Sequence, residues 1–238
     1  MKAVILAGGA GTRLRPLTYM VPKCLLPIGG KPLLERTIQY LKSFGVKDVV
    51  ICVAYLKKHV MNEMGDGSSL GVKIEYAESD VPMGTGGQLK TAERFIDSTF
   101  LAMNGDIVTS LNLQNLTDTH AAGQKIGTIS LKKFDVKVPY GYITVNSSGM
   151  IQRFDEKPTL SFMANAGIYA FEKRIFDYIP EGKLSSLETE IFPSLISNGE
   201  FLNSFYDEGA YWADVGSMVD FERVNDDYLT NEKPAVLR

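Results

Sequence analysis

The run KAVILAGGAGTRL, residues 2–14, constrains the fold more than any other stretch. Residues 2–6 read as a short apolar strand, and the glycines after them form a turn whose backbone amides can converge on an anion without side chains in the way. Arg13, Arg15, Lys23 and Lys31 follow, so a chain of formal net charge -3 gathers four cations beside bare backbone. A tight strand-to-helix turn would use the same glycines, but the cations argue for a phosphate-bearing ligand. Two phosphate-binding fingerprints fail here. GxGxxG needs glycine where Leu14 stands, and GxxxxGK[ST] needs a lysine directly after its second glycine.

Alternation of strands and helices follows. KPLLERTIQYLKSFG spaces Leu34, Ile38 and Leu41 helically before a glycine stop, and DVVICV is apolar on consecutive positions, as in a parallel strand covered on both faces. VKIEYAE and TFLAMNGD read as further strands, with helices over 57–64 and 88–95. This predicts an α/β fold with a Rossmann-like doubly wound sheet over about residues 1–122. Beyond Gly123, KIGTISLKKF, YGYITVN, MIQRFDEKP and NAGIYAFE read as strands, the middle two joined by SSG, so the mixed sheet should become partly antiparallel. LETEIFPSLISNG predicts a helix stopped by Gly199, and Met218, Phe221, Asn225 and Tyr228 mark a final amphipathic helix. With no repeat and no linker, one domain over 1–238 is expected, its second half (about 123–238) built over the carboxyl ends of the strands, where ligands of open α/β sheets bind.

The slight net negative charge disfavours nucleic acid and membrane surfaces as partners, since both need a dense positive field. No apolar run approaches the roughly 18 residues of a membrane span, and the N-terminus lacks signal-peptide layout, so a cytoplasmic location is expected. Cys24 and Cys52 fit neither a metal spacing nor a disulfide framework and should be reduced and buried. His59 and His120 have no nucleophile or metal-like neighbour and are expected at the surface or as caps.

Two carboxylates stand out. MNGD closes one strand with Asp106 and YWADVGS closes another with Asp214. Each alone reads as a cap or turn residue, yet together beside a phosphate loop they suit Mg²⁺, which takes one or two carboxylates plus substrate phosphates. FDEKP juxtaposes Glu156 and Lys157, with Pro158 ending the strand and releasing both side chains.

LAGGAGTRLRPLT, PKCLLPIGGKP, MGTGGQLK, MNGD, YGYITV, FDEKP, NAGIYAF and YWADVGS occur in that order over nearly the whole chain. In this the chain resembles the sugar-1-phosphate nucleotidyltransferases, and the likeness implies the nucleotide-diphospho-sugar transferase type of sheet. It implies that Leu6, Ala7, Gly8, Gly9, Gly11, Thr12 and Arg13 embrace a nucleoside triphosphate, with Arg13 and Lys23 the catalytic phosphate cations and Asp106 and Asp214 the ligands of Mg²⁺. Glu78, Gly84 and Thr85 would complete the nucleotide site, and Asn104, Gly105, Gly141, Glu156, Lys157 and Asn165 the sugar-phosphate site. Uridylyl- and thymidylyl-transferring relatives read the pyrimidine with a glutamine where this chain has Ser79. A carboxylate suits guanine, whose N1-H and N2-H₂ are both donors, so Glu78 points to GTP, and the GTGG form to mannose 1-phosphate or heptose 1-phosphate. A UTP- or dTTP-dependent glucose-1-phosphate enzyme and a non-catalytic regulatory subunit that binds a nucleotide-sugar are the alternatives. Many relatives carry a C-terminal left-handed β-helix, for which this sequence holds no hexapeptide repeat; self-association through the catalytic domain stays open.

Overall fold

The computed structural model describes residues 1–230. Strand β1 (Lys2–Leu6) is followed by a two-strand ribbon of β2 (Pro27–Ile28) and β3 (Lys31–Pro32), helix α1 (Leu33–Ser43), β4 (Asp48–Val53), α2 (Lys57–Met64), β5 (Lys73–Glu78), α3 (Gly84–Thr91), β6 (Phe100–Asn104), β7 (Ile107–Thr109) and α4 (Leu113–Gly123). The second half adds β8 (Gly127–Lys137), β9 (Tyr142–Val145), β10 (Ile151–Asp155), β11 (Thr159–Phe171), α5 (Phe192–Ser197), β12 (Leu202–Tyr206), β13 (Trp212–Asp214) and α6 (Met218–Leu229).

Seven strands form one sheet in the order β12-β8-β11-β6-β1-β4-β5. β6, β1, β4 and β5 run parallel, and β11 enters antiparallel beside β6. Consecutive apolar residues explain the double winding. Ala3 and Ile5 of β1 join a core with α1, α2 and α4 on one face, while Val4 and Leu6 join a core with α3 and the helical segments after β11 on the other. β4 divides likewise, Val49, Ile51 and Val53 against Val50 and Cys52.

The site is positioned by strand lengths. β11 pairs Ile168 with Met103, one residue short of the end of β6, so residues 159–165 continue past the carboxyl edge of the central strands, paired only with β8. β9 and β10 form a separate antiparallel hairpin, and β7 pairs antiparallel with β13.

Three expectations need correction. α3 starts at Gly84, not near residue 88, and ends at Thr91. β11 begins directly after Pro158, well before NAGIYAFE. His120 is buried at 3% exposure, its ring nitrogens 3.0 Å from Thr128 Oγ1 and 3.1 Å from Glu172 Oε1, because it lies on the inward face of α4; His59 is exposed as expected. Both cysteines are free and buried, and burial pushes both thiols up to about 12.

Candidate active site

The glycine turn leaves β1 under restraint at both ends. Ala7 N donates to Cys52 O at 3.0 Å, and Gly8 N donates to Gln88 Oε1 at 2.8 Å. At the far end Gly11 has φ 59°, and a Cβ there would lie 2.9 Å from Thr18 Cγ2 and 3.0 Å from Lys23 Cβ, so glycine is required. Leu14 is fully buried and pins the short turn Thr12–Leu14. Between these anchors the amides of Gly9, Ala10, Gly11 and Thr12 find no acceptor among the described residues. A run of N-H groups without protein acceptors, bordered by exposed Arg13, could receive an anion.

The charged centre forms where β6 hands the chain to β7. Gly105 N donates to Leu6 O at 3.0 Å, which seats the turn Asn104–Asp106 beside the end of β1. Register in the β7–β13 pair sets Asp214 opposite Ile107, and Val215 N donates to Asp106 O at 2.9 Å, so aspartates from opposite halves of the sequence become neighbours. Lys23 forms an ion pair with Asp106. A Cβ on Gly216 would lie 2.6 Å from Asp214 Oδ1 and 3.1 Å from Arg13 Nη2, which brings Arg13 to the same spot. Burial raises the Asp214 carboxyl above its ordinary value and the Asp106 charge raises it further, against the opposing pull of Lys23 and Arg13.

Asp214 Oδ1 and Asn104 Oδ1 are buried with no hydrogen-bond partner. Orphaned oxygens of this kind cost free energy unless a donor or cation meets them. A divalent cation held by the two aspartates and completed by ligand oxygens fits that donor set. Among the described residues no group of three or more His, Cys, Asp or Glu could hold a metal ion by itself.

On the nucleotide side, GTGG lies inside α3 and its glycines face residues 183–187. Gly84 has φ 67°, and a Cβ there would sit 2.3 Å from Ser185 O; at Gly87 it would sit 2.6 Å from Lys183 O. Gly86 N donates to that Ser185 carbonyl at 2.9 Å. Thr85 Oγ1 donates to Glu188 Oε2 at 2.6 Å and accepts from Leu187 N at 2.9 Å. Thr85 and Gly86 therefore have internal partners. Glu78, at the exposed end of β5, lies 3.2 Å from Lys57 Nζ, which also holds Asp80 at 2.7 Å. The sequence reading missed Gln88 and Glu188. An amide following the glycine run was the one available hint of Gln88; Glu188 left none, since its link to Thr85 spans distant parts of the chain.

On the other side, Asn165 Nδ2 donates to Tyr169 OH at 2.8 Å and Oδ1 accepts from Gly167 N at 2.9 Å. A Cβ on Gly167 would lie 2.7 Å from Asn104 Nδ2, and Trp212 Nε1 donates to Ala166 O at 2.8 Å, so Asn165 and Asn104 adjoin the β13 strand that carries Asp214. Gly141, Glu156 and Lys157 gather at the base of the β9–β10 hairpin: a Cβ at Gly141 would be 3.2 Å from Glu156 Oε2, and Lys157, at φ 48°, has Nζ 4.0 Å from Glu156 Oε1. These side chains are exposed, and their ionic contact is with each other rather than with the aspartates.

A doubly wound sheet with free amides, paired cations and paired aspartates at its carboxyl edge defines a phosphate-handling α/β protein. The chain belongs to the nucleotidyl transferase family, whose model matches residues 2–231. It is 34% identical over 238 residues to a mannose-1-phosphate guanylyltransferase of Mycobacterium tuberculosis, covering 98% of this chain and 66% of that one. It is 33% identical to a UTP--glucose-1-phosphate uridylyltransferase of Synechocystis, covering 93% of this chain and 61% of the relative. The chain thus spans somewhat less than two thirds of the length of these relatives. Its fold matches the crystal structure of HddC from Yersinia pseudotuberculosis complexed with GMP-PN at TM-score 0.75 and 26% identity, over 95% of this chain and 99% of that one. Among the described residues no helix is long and apolar enough to cross a membrane.

Proposed function

We propose that the protein transfers a nucleoside monophosphate from a nucleoside triphosphate to a sugar 1-phosphate, releasing pyrophosphate, with GTP and mannose 1-phosphate as the preferred pair. The observation that carries this reading is the convergence of Arg13, Lys23, Asp106 and Asp214 beside the free amides of residues 9–12. The chemistry asks for little acid–base help. A phosphate monoester has its second pKa at about 6, so the attacking oxygen is mostly ionised at neutral pH and no general base is needed. It attacks the α-phosphorus in line, the bond to the β-phosphate oxygen breaks, and pyrophosphate leaves with the electron pair. The work left to the protein is to bring two polyanions together and stabilise the charge spread over the phosphoryl oxygens. The loop amides receive the triphosphate, and Arg13 and Lys23 offset repulsion between the substrates. Asp106 and Asp214 would hold Mg²⁺, which supplies further charge neutralisation when bound. Asn104, Gly105, Gly141 and Asn165 would line the sugar-phosphate side, with Glu156 on ring hydroxyls and Lys157 on the phosphate.

Guanine is favoured by the acid at Glu78, which can accept from both N1-H and N2-H₂, and by the guanylyltransferase named among the relatives. A pyrimidine reading draws on a different observation, since Lys57 already occupies the Glu78 carboxylate. The test is pyrophosphate release with Mg²⁺ across GTP, UTP, dTTP and CTP, each paired with mannose, glucose and heptose 1-phosphates. The highest kcat/KM is expected for GTP with mannose 1-phosphate. Preference for UTP or dTTP would overturn the base assignment alone, and silence with every pair would overturn the transferase reading.

A further inference from the structure

Glu188 lies on neither strand edge that carries the charged centre, yet it contacts both Thr85 of α3 and Tyr169 of β11. It sits in the wide helical turn Leu187–Ile191, half-buried, where Ser186 caps the turn by accepting from Glu188 N at 3.2 Å and Thr189 N at 3.1 Å. The donors to its carboxylate are hydroxyls: Thr85 Oγ1 at 2.6 Å and Ser186 Oγ at 2.8 Å on Oε2, and Tyr169 OH at 3.4 Å on Oε1. No Lys, Arg or His forms an ion pair with it among the described residues.

Hydrogen-bond polarity then propagates in one direction. A carboxylate only accepts, so the fully buried Tyr169 must spend its proton on Glu188 and accept from Asn165 Nδ2. Asn165 Oδ1 accepts from Gly167 N, which fixes the orientation of the amide. At the other end, the Thr85 hydroxyl gives its proton to Glu188 and accepts from Leu187 N, which ties the start of α3 to residues 183–187. Hydrogen bonds to a charged acceptor are about twice as strong as neutral ones, so the negative charge on Glu188 sets the direction of the whole chain.

We propose that Glu188 is a positioning residue that sets both substrate half-sites at once, the nucleotide side through Thr85 and the sugar-phosphate side through Tyr169 and Asn165. This rests on the nucleotidyl-transfer reading above. The test is two-substrate steady-state kinetics with the pair that the wild-type protein turns over best, on Glu188→Gln and Tyr169→Phe, with thermal melting of each. Glu188→Gln keeps shape but can donate as well as accept, and should raise the KM of both substrates roughly tenfold. Tyr169→Phe removes the hydroxyl that joins Glu188 to Asn165 while leaving the Thr85 contact in place, and should raise the KM of the sugar 1-phosphate alone. Thr85→Ser, which keeps the hydroxyl, should retain the wild-type nucleotide KM while Thr85→Val loses it. A Glu188→Gln enzyme with both KM values within about twofold of wild type would overturn the proposal. So would a Tyr169→Phe effect shared equally by both substrates, which is the signature of general destabilisation. A wild-type protein inactive with every pair would sink the transferase reading first, and this one with it.

Discussion

The two halves of the proposed site are built on different physical terms. On the proposed nucleotide side, the glycine turn leaves a strand whose roots are buried: Leu6 and Leu14 are at most 7% exposed, and Ala7 and Gly8 are tied by hydrogen bonds of 3.0 and 2.8 Å. On the proposed sugar side, the outer ribbon and its hairpin leave Phe154 60% exposed and Phe162 51% exposed, with Glu156 and Lys157 facing solvent. Charge stabilisation requires donors held in place before the charge develops, which only a packed scaffold provides. Recognition of a sugar requires a surface that can be reshaped without disturbing the core, and a sparsely packed ribbon provides that.

The sharpest way to break this comparison is at Lys23. Lys23→Ala should leave a folded protein whose kcat/KM falls by about a hundredfold or more, equivalent to about 2.7 kcal/mol, because the ion pair with Asp106 and the charge near the phosphates are lost together. A loss below about tenfold in steady-state assays would remove Lys23 from the proposed chemistry.

Next in size is Asp214→Asn, which should separate function from stability. In chelator, the folded state holds the Asp214 proton more tightly than the unfolded chain, because burial and the Asp106 charge oppose ionisation. Its contribution to stability is therefore full below the ordinary carboxylate value and is lost as pH rises through the raised one. The asparagine variant avoids that loss, so it should melt at higher temperature than wild type at pH 7 and at the same temperature near pH 3, while Mg²⁺-dependent pyrophosphate release falls sharply. Melting curves at the two pH values with EDTA, paired with the activity assay, check both halves.

A third test bears on the border between the two sides. Gly84→Ala places a Cβ 2.3 Å from the Ser185 carbonyl at a φ of 67°. The left-handed backbone alone costs roughly 1–2 kcal/mol, and the clash with a carbonyl adds to it, so urea denaturation should show a loss of about 2 kcal/mol or more. A loss below about 0.5 kcal/mol would mean that residues 183–187 yield easily.

What was legible in the sequence follows the same division. β1, β4 and α2 were readable because consecutive apolar residues and a regular helical face leave a local pattern, as were Cys24 and Cys52 as buried thiols. Asp106 and Asp214 were readable as strand-end carboxylates, and their adjacency depends on the β7–β13 register. α4 left too faint a pattern: only Leu113, Leu116 and His120 of its residues are buried, and the last is polar. The first residues of β11 were unreadable because they bury nothing. The glycines of GTGG suggested a ligand loop, and they also pack closely against residues 183–185; that packing, like the Thr85–Glu188 hydrogen bond, is formed by residues about a hundred positions apart, beyond any local signal.

The smallest expected effect on stability, and the one that sharpens the comparison most, is at Glu156. Its carboxylate is exposed and its ionic partner is the adjacent Lys157, an arrangement worth little to the fold. Glu156→Ala should therefore shift unfolding by less than about 0.5 kcal/mol. If the hairpin base binds the sugar, the same change should raise the KM of the sugar 1-phosphate severalfold and leave the KM of the triphosphate unmoved. Nucleotide specificity across the four triphosphates should stay in the wild-type order, because Glu78 and the glycine turn are untouched. A triphosphate KM that rises in step with the sugar's would mean that the ribbon and the packed scaffold respond as one body, and the division of labour between them would have to be abandoned.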